Sequence, residues 1–158
     1  MASAHDPLTS GLTPATPPIH IAEIGMGDVG VIRQMNEAIF GEARVINTFE
    51  RADLMMLVAY VGNVPAGFKV GYRENRYTFY SAKGGILPAF RRRGIARLLL
   101  YDMMTRARRN GYIRFAYDTF PNKHSGMTIL GLNEGFRVMK ADYNAVYRDY
   151  RLRFEIKL

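Results

Sequence analysis

The sequence predicts an α/β (α+β) fold, a mixed sheet with helices on both of its faces. Three observations lead there. Apolar residues recur at period two and at three-to-four spacing in the order strand, helix, strands, helix, strand, helix, strands. A length of 158 residues, with 48% apolar and 23% charged, suits a single core and excludes a mainly disordered, collagen-like or coiled-coil chain. No internal repeat is visible, so a solenoid is not expected. Where a helix joins neighbouring strands, the pair is expected to be parallel.

The elements follow in order. Residues 1–18 are rich in Pro, Thr, Ser, Ala and Gly without apolar period and read as a flexible N-terminal arm, leaving 19–158 as the folded domain. Ile19 to Ile24 alternates as a short strand between a proline pair and two glycines. Asp28 can cap a helix through Val31, Ile32, Met35, Ala38 and Ile39 to about Gly41. Glu42 to Asp53 is weakly patterned and is expected to hold a second short helix and a loop. Leu54 to Val61 is apolar almost throughout, as in a central strand, and Gly62 and Asn63 turn it into Ala66 to Tyr72 as a hairpin. Tyr77 to Leu87 follows as a strand whose Gly84 and Gly85 suggest a bulge or a close backbone approach. After Pro88 the period becomes helical: Ala96, Leu99, Leu100, Met103 and Ala107 share a face, and Asn110 with Gly111 ends the helix. Tyr112 to Phe120 is a strand, Asn122 to Glu134 a helix closed by Gly135, and Phe136 to Asn144 and Ala145 to Leu158 are two closing strands.

Charge narrows the function. The chain has 22 Lys and Arg against 14 Asp and Glu, a formal +8, which favours an anionic partner. Eight arginines, Arg91, Arg92, Arg93, Arg97, Arg106, Arg108, Arg109 and Arg114, face one acid, Asp102, in a single window. The absence of cysteine excludes disulfides, thiolate-bound zinc, iron–sulfur clusters and a cysteine nucleophile, and His5, His20 and His124 are too scattered for a metal site. No run approaches the roughly 18 to 20 apolar residues of a membrane span, and no basic start precedes an apolar stretch, so no membrane partner and a cytoplasmic location are expected.

The stretch GILPAFRRRGIARLLL, Gly85 to Leu100, is a strand end, a proline, an Arg/Gly loop and an amphipathic helix. A helix start leaves about four backbone N–H groups unpaired and carries partial positive charge, which suits phosphate. Gly94 lets an anion approach the backbone, and Ala96 keeps the first turn narrow. Solvated arginines at a helix start are the plainer account of the same residues. The spacings of a P-loop and of a dinucleotide fingerprint are both absent.

Arg91 to Ala96 fits the pattern [QR]-x-x-G-x-[GA], with the hydrophobic-x-Pro of Ile86 to Pro88 ahead of it and a helix ending in Gly135 and Phe136 behind. In these features the chain, from about Ile19 to Leu158, resembles the GNAT superfamily of acyl-CoA-dependent N-acyltransferases. The resemblance implies a mixed, mostly antiparallel central sheet of six to seven strands. It implies acetyl-CoA or coenzyme A as cosubstrate, its pyrophosphate on the backbone of Arg92, Arg93, Gly94, Ile95, Ala96 and Arg97, and its pantetheine along Gly85, Ile86 and Leu87. Asn122 and Ser125, between a strand and a helix, are further cofactor candidates, although an asparagine there is also a common helix cap.

The reaction so implied is direct attack of a primary amine on a thioester, which needs a neutral amine and a route for its proton. In many GNAT enzymes a tyrosine four residues before the closing glycine protonates the leaving thiolate. Here that position is Gly131. Substitutes are Tyr143 and Tyr147 on the closing strands, Tyr117, Ser125 and His124. Tyr143 is taken as the catalytic candidate, with Asp118 and Glu50 as carboxylates for the amine. Each is also an ordinary surface residue by position, and Tyr72, Tyr77, Phe79 and Tyr80 fit either an acceptor pocket or cross-strand packing. The expected activity is transfer of an acyl group, acetyl first of all, to an amine of a small molecule, peptide or protein. A noncatalytic acyl-CoA-binding module is the alternative. A nucleic-acid-binding domain is disfavoured because few aromatics interleave the arginines. Exposed closing strands offer an edge on which a homodimer could pair.

Overall fold

A computed structural model describes residues 16–158, so most of the expected N-terminal arm lies outside the described residues. Within them seven strands form one sheet in the order β1-β2-β3-β4-β5-β7-β6. The elements are β1 Ile19–Ile24, α1 Val29–Phe40, β2 Met55–Val61, β3 Val64–Arg73, β4 Thr78–Ile86, α2 Ile95–Arg109, β5 Arg114–Thr119, α3 Ser125–Asn133, β6 Arg137–Asn144 and β7 Asp149–Lys157. Every neighbouring pair is antiparallel except β4 and β5, which the α2 crossover makes parallel. The expected parallel pairing fails at β1 and β2, which α1 joins but which are antiparallel, because residues 42–53 carry the chain back to the end of the sheet where β1 stopped, Ile24 opposite Met56; nor does α3 produce a parallel pair, because β7 inserts between β5 and β6.

The two faces of the sheet carry separate cores. Ile32 and Met35 of α1 cover Met56, Val58, Phe68 and Val70. On the opposite face Leu99, Leu100, Met103 and Ala107 of α2 pack on Leu57, Phe79, Phe115 and Tyr117, joined by Met127 and Leu130 of α3. Phe68, Phe79, Phe115 and Phe154 are fully buried, each worth about 1.5–3 kcal/mol on removal from water. The strong β2 pattern is explained by burial on both faces.

Three further expectations are corrected. Residues 42–53 form no helix: their turns are held by side chains reaching into them, Asn36 Nδ2 donating to the Glu42 carbonyl at 2.7 Å and Lys83 Nζ to the Arg44 carbonyl at 3.2 Å. The last helix starts at Ser125 rather than Asn122, because the Phe120 carbonyl accepts the Lys123 and His124 amides and closes a turn first. Asp28 stands at the start of α1 but makes no side-chain cap, one turn of 3-10 helix leading in instead. At Gly84 and Gly85 the close-approach alternative holds. The register irregularity lies next to them, where Val70 pairs with Lys83 and Gly71 with Ser81. No helix among the described residues is long and apolar enough to cross a membrane.

Candidate active site

The parallel pair β4–β5 is short. It runs from Thr78 opposite Arg114 to Ser81 opposite Tyr117 and then ends, while β4 continues to Ile86 against β3. A gap therefore opens between β4 and β5 beyond Ser81. The Leu87 N–H donates to the Ala66 carbonyl at 2.8 Å, which sets the phase of the antiparallel ladder. Gly85 then bonds toward β3, and the backbone groups of Gly84 and Ile86 turn toward the gap. Of the three residues expected to pair with pantetheine, Ile86 alone offers its N–H there. Gly85 has a packing role: a Cβ on it would come within 3.0–3.2 Å of Ile39 and Phe40 on α1.

The loop after β4 leads directly into α2 at the mouth of this gap. Arg91 Nε donates to the Ile86 carbonyl at 3.2 Å and pins the loop to the strand end. Arg92 and Gly94 both have positive φ, 63° and 76°, which rotates successive amides outward in the manner of an anion-binding nest. Gly94 is the N-cap of α2 and supplies no side-chain acceptor. Among the described residues, the N–H groups of Arg92, Arg93, Gly94, Ile95, Ala96 and Arg97 donate to no backbone acceptor, and the first helical bond is Leu98 to Gly94. The Arg92 and Arg93 side chains have no acidic partner there, whereas the Arg97 guanidinium is engaged by Glu134 at 2.8 Å. This donor set fits a pyrophosphate: six open amides, two left-handed residues that aim them, and two cations.

Across the gap, β5 and the turn after it carry Asp118, Asn122, His124 and Ser125. Asp118 faces the α1 side, where Tyr80 donates to its Oδ2 at 2.6 Å. Burial first, and the adjoining carboxylate second, push the Tyr80 phenol well above its ordinary value. Tyr72 packs on Tyr80 with ring centroids 5.7 Å apart. Asn122 is no cap of α3: its Nδ2 donates to Asp149 Oδ1 at 3.0 Å and ties this turn to β7. His124 makes an edge contact with Phe40 at 6.3 Å, bridging from α3 to α1, and Ser125 begins α3, exposed.

One catalytic candidate, Tyr143, stands apart from this gap. Tyr143 is 57% exposed on β6, two strands removed from β5, its ring against Tyr150. Glu50 is exposed in the 42–53 segment, its amide donating to Thr48 Oγ1. Tyr147 packs on Phe120 beside the β5 end at 4.9 Å. Tyr117 points into the core toward α3, where its hydroxyl donates to the Met127 carbonyl at 2.8 Å. That hydroxyl fills the space a side chain on Gly131 would need, which explains why no larger residue stands at 131.

One residue escapes sequence reasoning. Lys69, in the middle of β3, is only 5% exposed. Gly71, two residues on, faces Met103 of α2, so alternation turns Lys69 to the α2 face as well. It pairs with Gly84, its Cγ 3.4 Å from where a Cβ on that glycine would lie. The side chain thus crosses β4 over the glycine, and Nζ ends 6.0 Å from the centre of the Tyr117 ring on β5. Burial lowers this ammonium from 10.5 to about 8. The available signal was the charge inside AGFKVGY, a run otherwise apolar and flanked by glycines.

A sequence profile described as the acetyltransferase (GNAT) domain matches residues 33–120, spanning the gap and the loop. No curated protein sequence matches the chain significantly. Among solved structures, an IAA acetyltransferase from Bacillus cereus superposes with a TM-score of 0.78 at 17% identity, over 89% of this chain and 100% of that one. A GNAT family acetyltransferase from Elizabethkingia anophelis with acetyl-CoA bound gives 0.73 at 17% identity, over 89% and 98%. The ribosomal-protein-S18-alanine N-acetyltransferase from Escherichia coli gives 0.74 at 11%, over 89% and 94%. At these identities the likeness is one of fold; with the profile spanning more than half of the sequence, the chain belongs to the GNAT acetyltransferase family.

Proposed function

We propose that the protein is an N-acetyltransferase that takes an acetyl group from acetyl-CoA and places it on a primary amine. The observation that carries this reading is the run of six open amides at Arg92 to Arg97, set at the mouth of a gap whose β4 edge has no strand partner. The loop amides hold the pyrophosphate, and the Arg92 and Arg93 side chains add charge at its rim. Pantetheine lies along β4 in the gap as an added strand. The Gly84 and Ile86 amides, both turned into the gap, are the backbone donors for the thioester carbonyl.

The amine approaches from the α1 face. Asp118 orients it there: with Oδ2 occupied by the Tyr80 hydroxyl, Oδ1 is left for the incoming ammonium. A lysine-like amine near pKa 10.4 must lose a proton before it attacks, and Asp118 guides that proton toward solvent. Tyr143 and Glu50 have no part in this scheme.

Coenzyme A is expected to raise the melting temperature by several degrees at concentrations well above Kd. The Gly94→Val variant should lose that shift. No atom lies within 4 Å of a Cβ at Gly94, but its φ of 76° is strained for a β-branched residue, so the loop rather than the core is perturbed. A Gly94→Val protein that binds coenzyme A as wild type does refutes the loop assignment.

A further inference from the structure

The leaving thiolate needs a cation or an acid beside it, and the groups that border the gap can be compared one by one. Tyr117 is spent: its hydroxyl bonds to Met127 and burial raises its pKa. Gly131 has no side chain. Asp118 faces the α1 side, where the Tyr80 hydroxyl donates to it; His124 rests edge-on against Phe40 of α1, and Ser125 is exposed at the start of α3. Lys69 has the required reach, crossing Gly84 from β3 to β5 on the α2 face at the level where the two strands part.

Building on the acetyl-CoA reading above, we infer that Lys69 is a catalytic residue, the acid that protonates the departing coenzyme A sulfur. The amine nitrogen gives its electron pair to the acetyl carbon, and the C–S bond breaks with its pair on sulfur. The Lys69 ammonium passes one proton to that sulfur and becomes a neutral amine. It recovers a proton from solvent as the new amide nitrogen loses one. One C–N bond is made, one C–S bond is broken, and one proton moves from amine to thiol. Amine and thiol are thereby served from opposite faces of the sheet, by Asp118 and by Lys69.

The chemistry is balanced for this role. An ordinary lysine holds its proton too tightly for a thiolate, whose conjugate acid has a pKa of about 8.5; at about 8 the Lys69 ammonium matches it. Burial is the cause of that lowering. The groups facing Lys69 are Leu57 on β2, Ser81 and Gly84 on β4, Tyr117 on β5 and the apolar face of α2, and of these the Tyr117 phenol alone titrates.

The test uses the full chain, its Lys69→Met and Lys69→Arg variants, and coenzyme A as probe. The ultraviolet absorbance of the bound thiolate is titrated. In wild type the bound thiol should ionise no more than about one unit below a free thiol, so that the sulfur and the Lys69 ammonium stay close enough for a proton to pass between them; in Lys69→Met it should return to about 8.5 or above. With the best amine from a panel, Lys69→Met should lose about 100-fold in kcat, and the alkaline limb of its pH profile should vanish. Lys69→Arg should keep the thiol shift without restoring kcat. Identical thiol titrations in wild type and Lys69→Met, or full kcat in either variant, overturn the role of Lys69. Failure of wild type to bind coenzyme A overturns instead the acetyl-CoA reading on which it rests.

Discussion

Replacing Gly131 with alanine is expected to destabilise the protein by about 3 kcal/mol, the upper part of the range for overpacked cores. On propensity alone the change should help, since alanine gains up to about 1 kcal/mol over glycine within a helix. Packing decides otherwise. The new methyl would overlap the Tyr117 hydroxyl and come within 3.1 and 3.2 Å of the Phe154 ring. Tyr117 cannot withdraw, because its ring is wedged between Phe136 and Phe154 at centroid distances of 5.1 and 5.4 Å. Removing the oxygen should relieve the overlap, so Gly131→Ala with Tyr117→Phe should be more stable than Gly131→Ala alone, despite the lost hydrogen bond to Met127 of about 1 kcal/mol. Urea unfolding of the four proteins closes the cycle. A single Gly131→Ala variant as stable as wild type would contradict this packing.

Lys69→Met is expected to act in the opposite direction. A folded pKa of about 8 against 10.5 for the free side chain corresponds to about 3 kcal/mol, at 1.36 kcal/mol per unit, which the fold spends to keep the buried ammonium charged at neutral pH. The apolar isostere removes that cost, so the variant should melt about 6–12 °C higher at pH 7. The pH dependence has a definite sign. Between about 8 and 10.5 the unfolded chain holds a proton on Lys69 that the folded chain has lost, so wild type gains stability as pH rises through this window. The advantage of Lys69→Met should be complete below pH 8 and shrink toward pH 10.5. The tyrosines shifted upward by burial oppose this trend above about pH 10, but they are common to both proteins and cancel in the difference. A variant less stable than wild type at pH 7 would mean that Lys69 has a hidden partner.

Most of the fold was legible because strand and helix periods are local properties. Val58 and Phe68, or Leu99 and Met103, announce their elements from spacing alone, and Gly94 marks the start of α2 as Gly135 marks the end of α3. The turn at Gly94 into α2 was readable for a related reason: glycine placement reports backbone conformation. Side chains that act across strands were harder. Lys69 on β3 meets Gly84 and Tyr117 only through the register and the α2 crossover, and no local window contains both partners. Residues 42–53 were misjudged because Asn36 and Lys83, which hold that segment, come from α1 and β4. That Tyr143 lies two strands from β5 is likewise a matter of topology, since β7 pairs between β5 and β6.

The strand order has a consequence for how the molecule is made. Strands β1 to β4 each hydrogen-bond to the next in sequence, so one wall of the gap can assemble as a meander while the chain is still being synthesised. The other wall, β5, rests on β7 along its outer edge. Until β7 emerges, β5 is a two-sided strand with one partner, and the cleft has only one firm side. Capture of coenzyme A would therefore report that β7 has joined the sheet, and a chain stalled before β7 would carry the loop at Arg92 to Arg97 without the completed wall beside it.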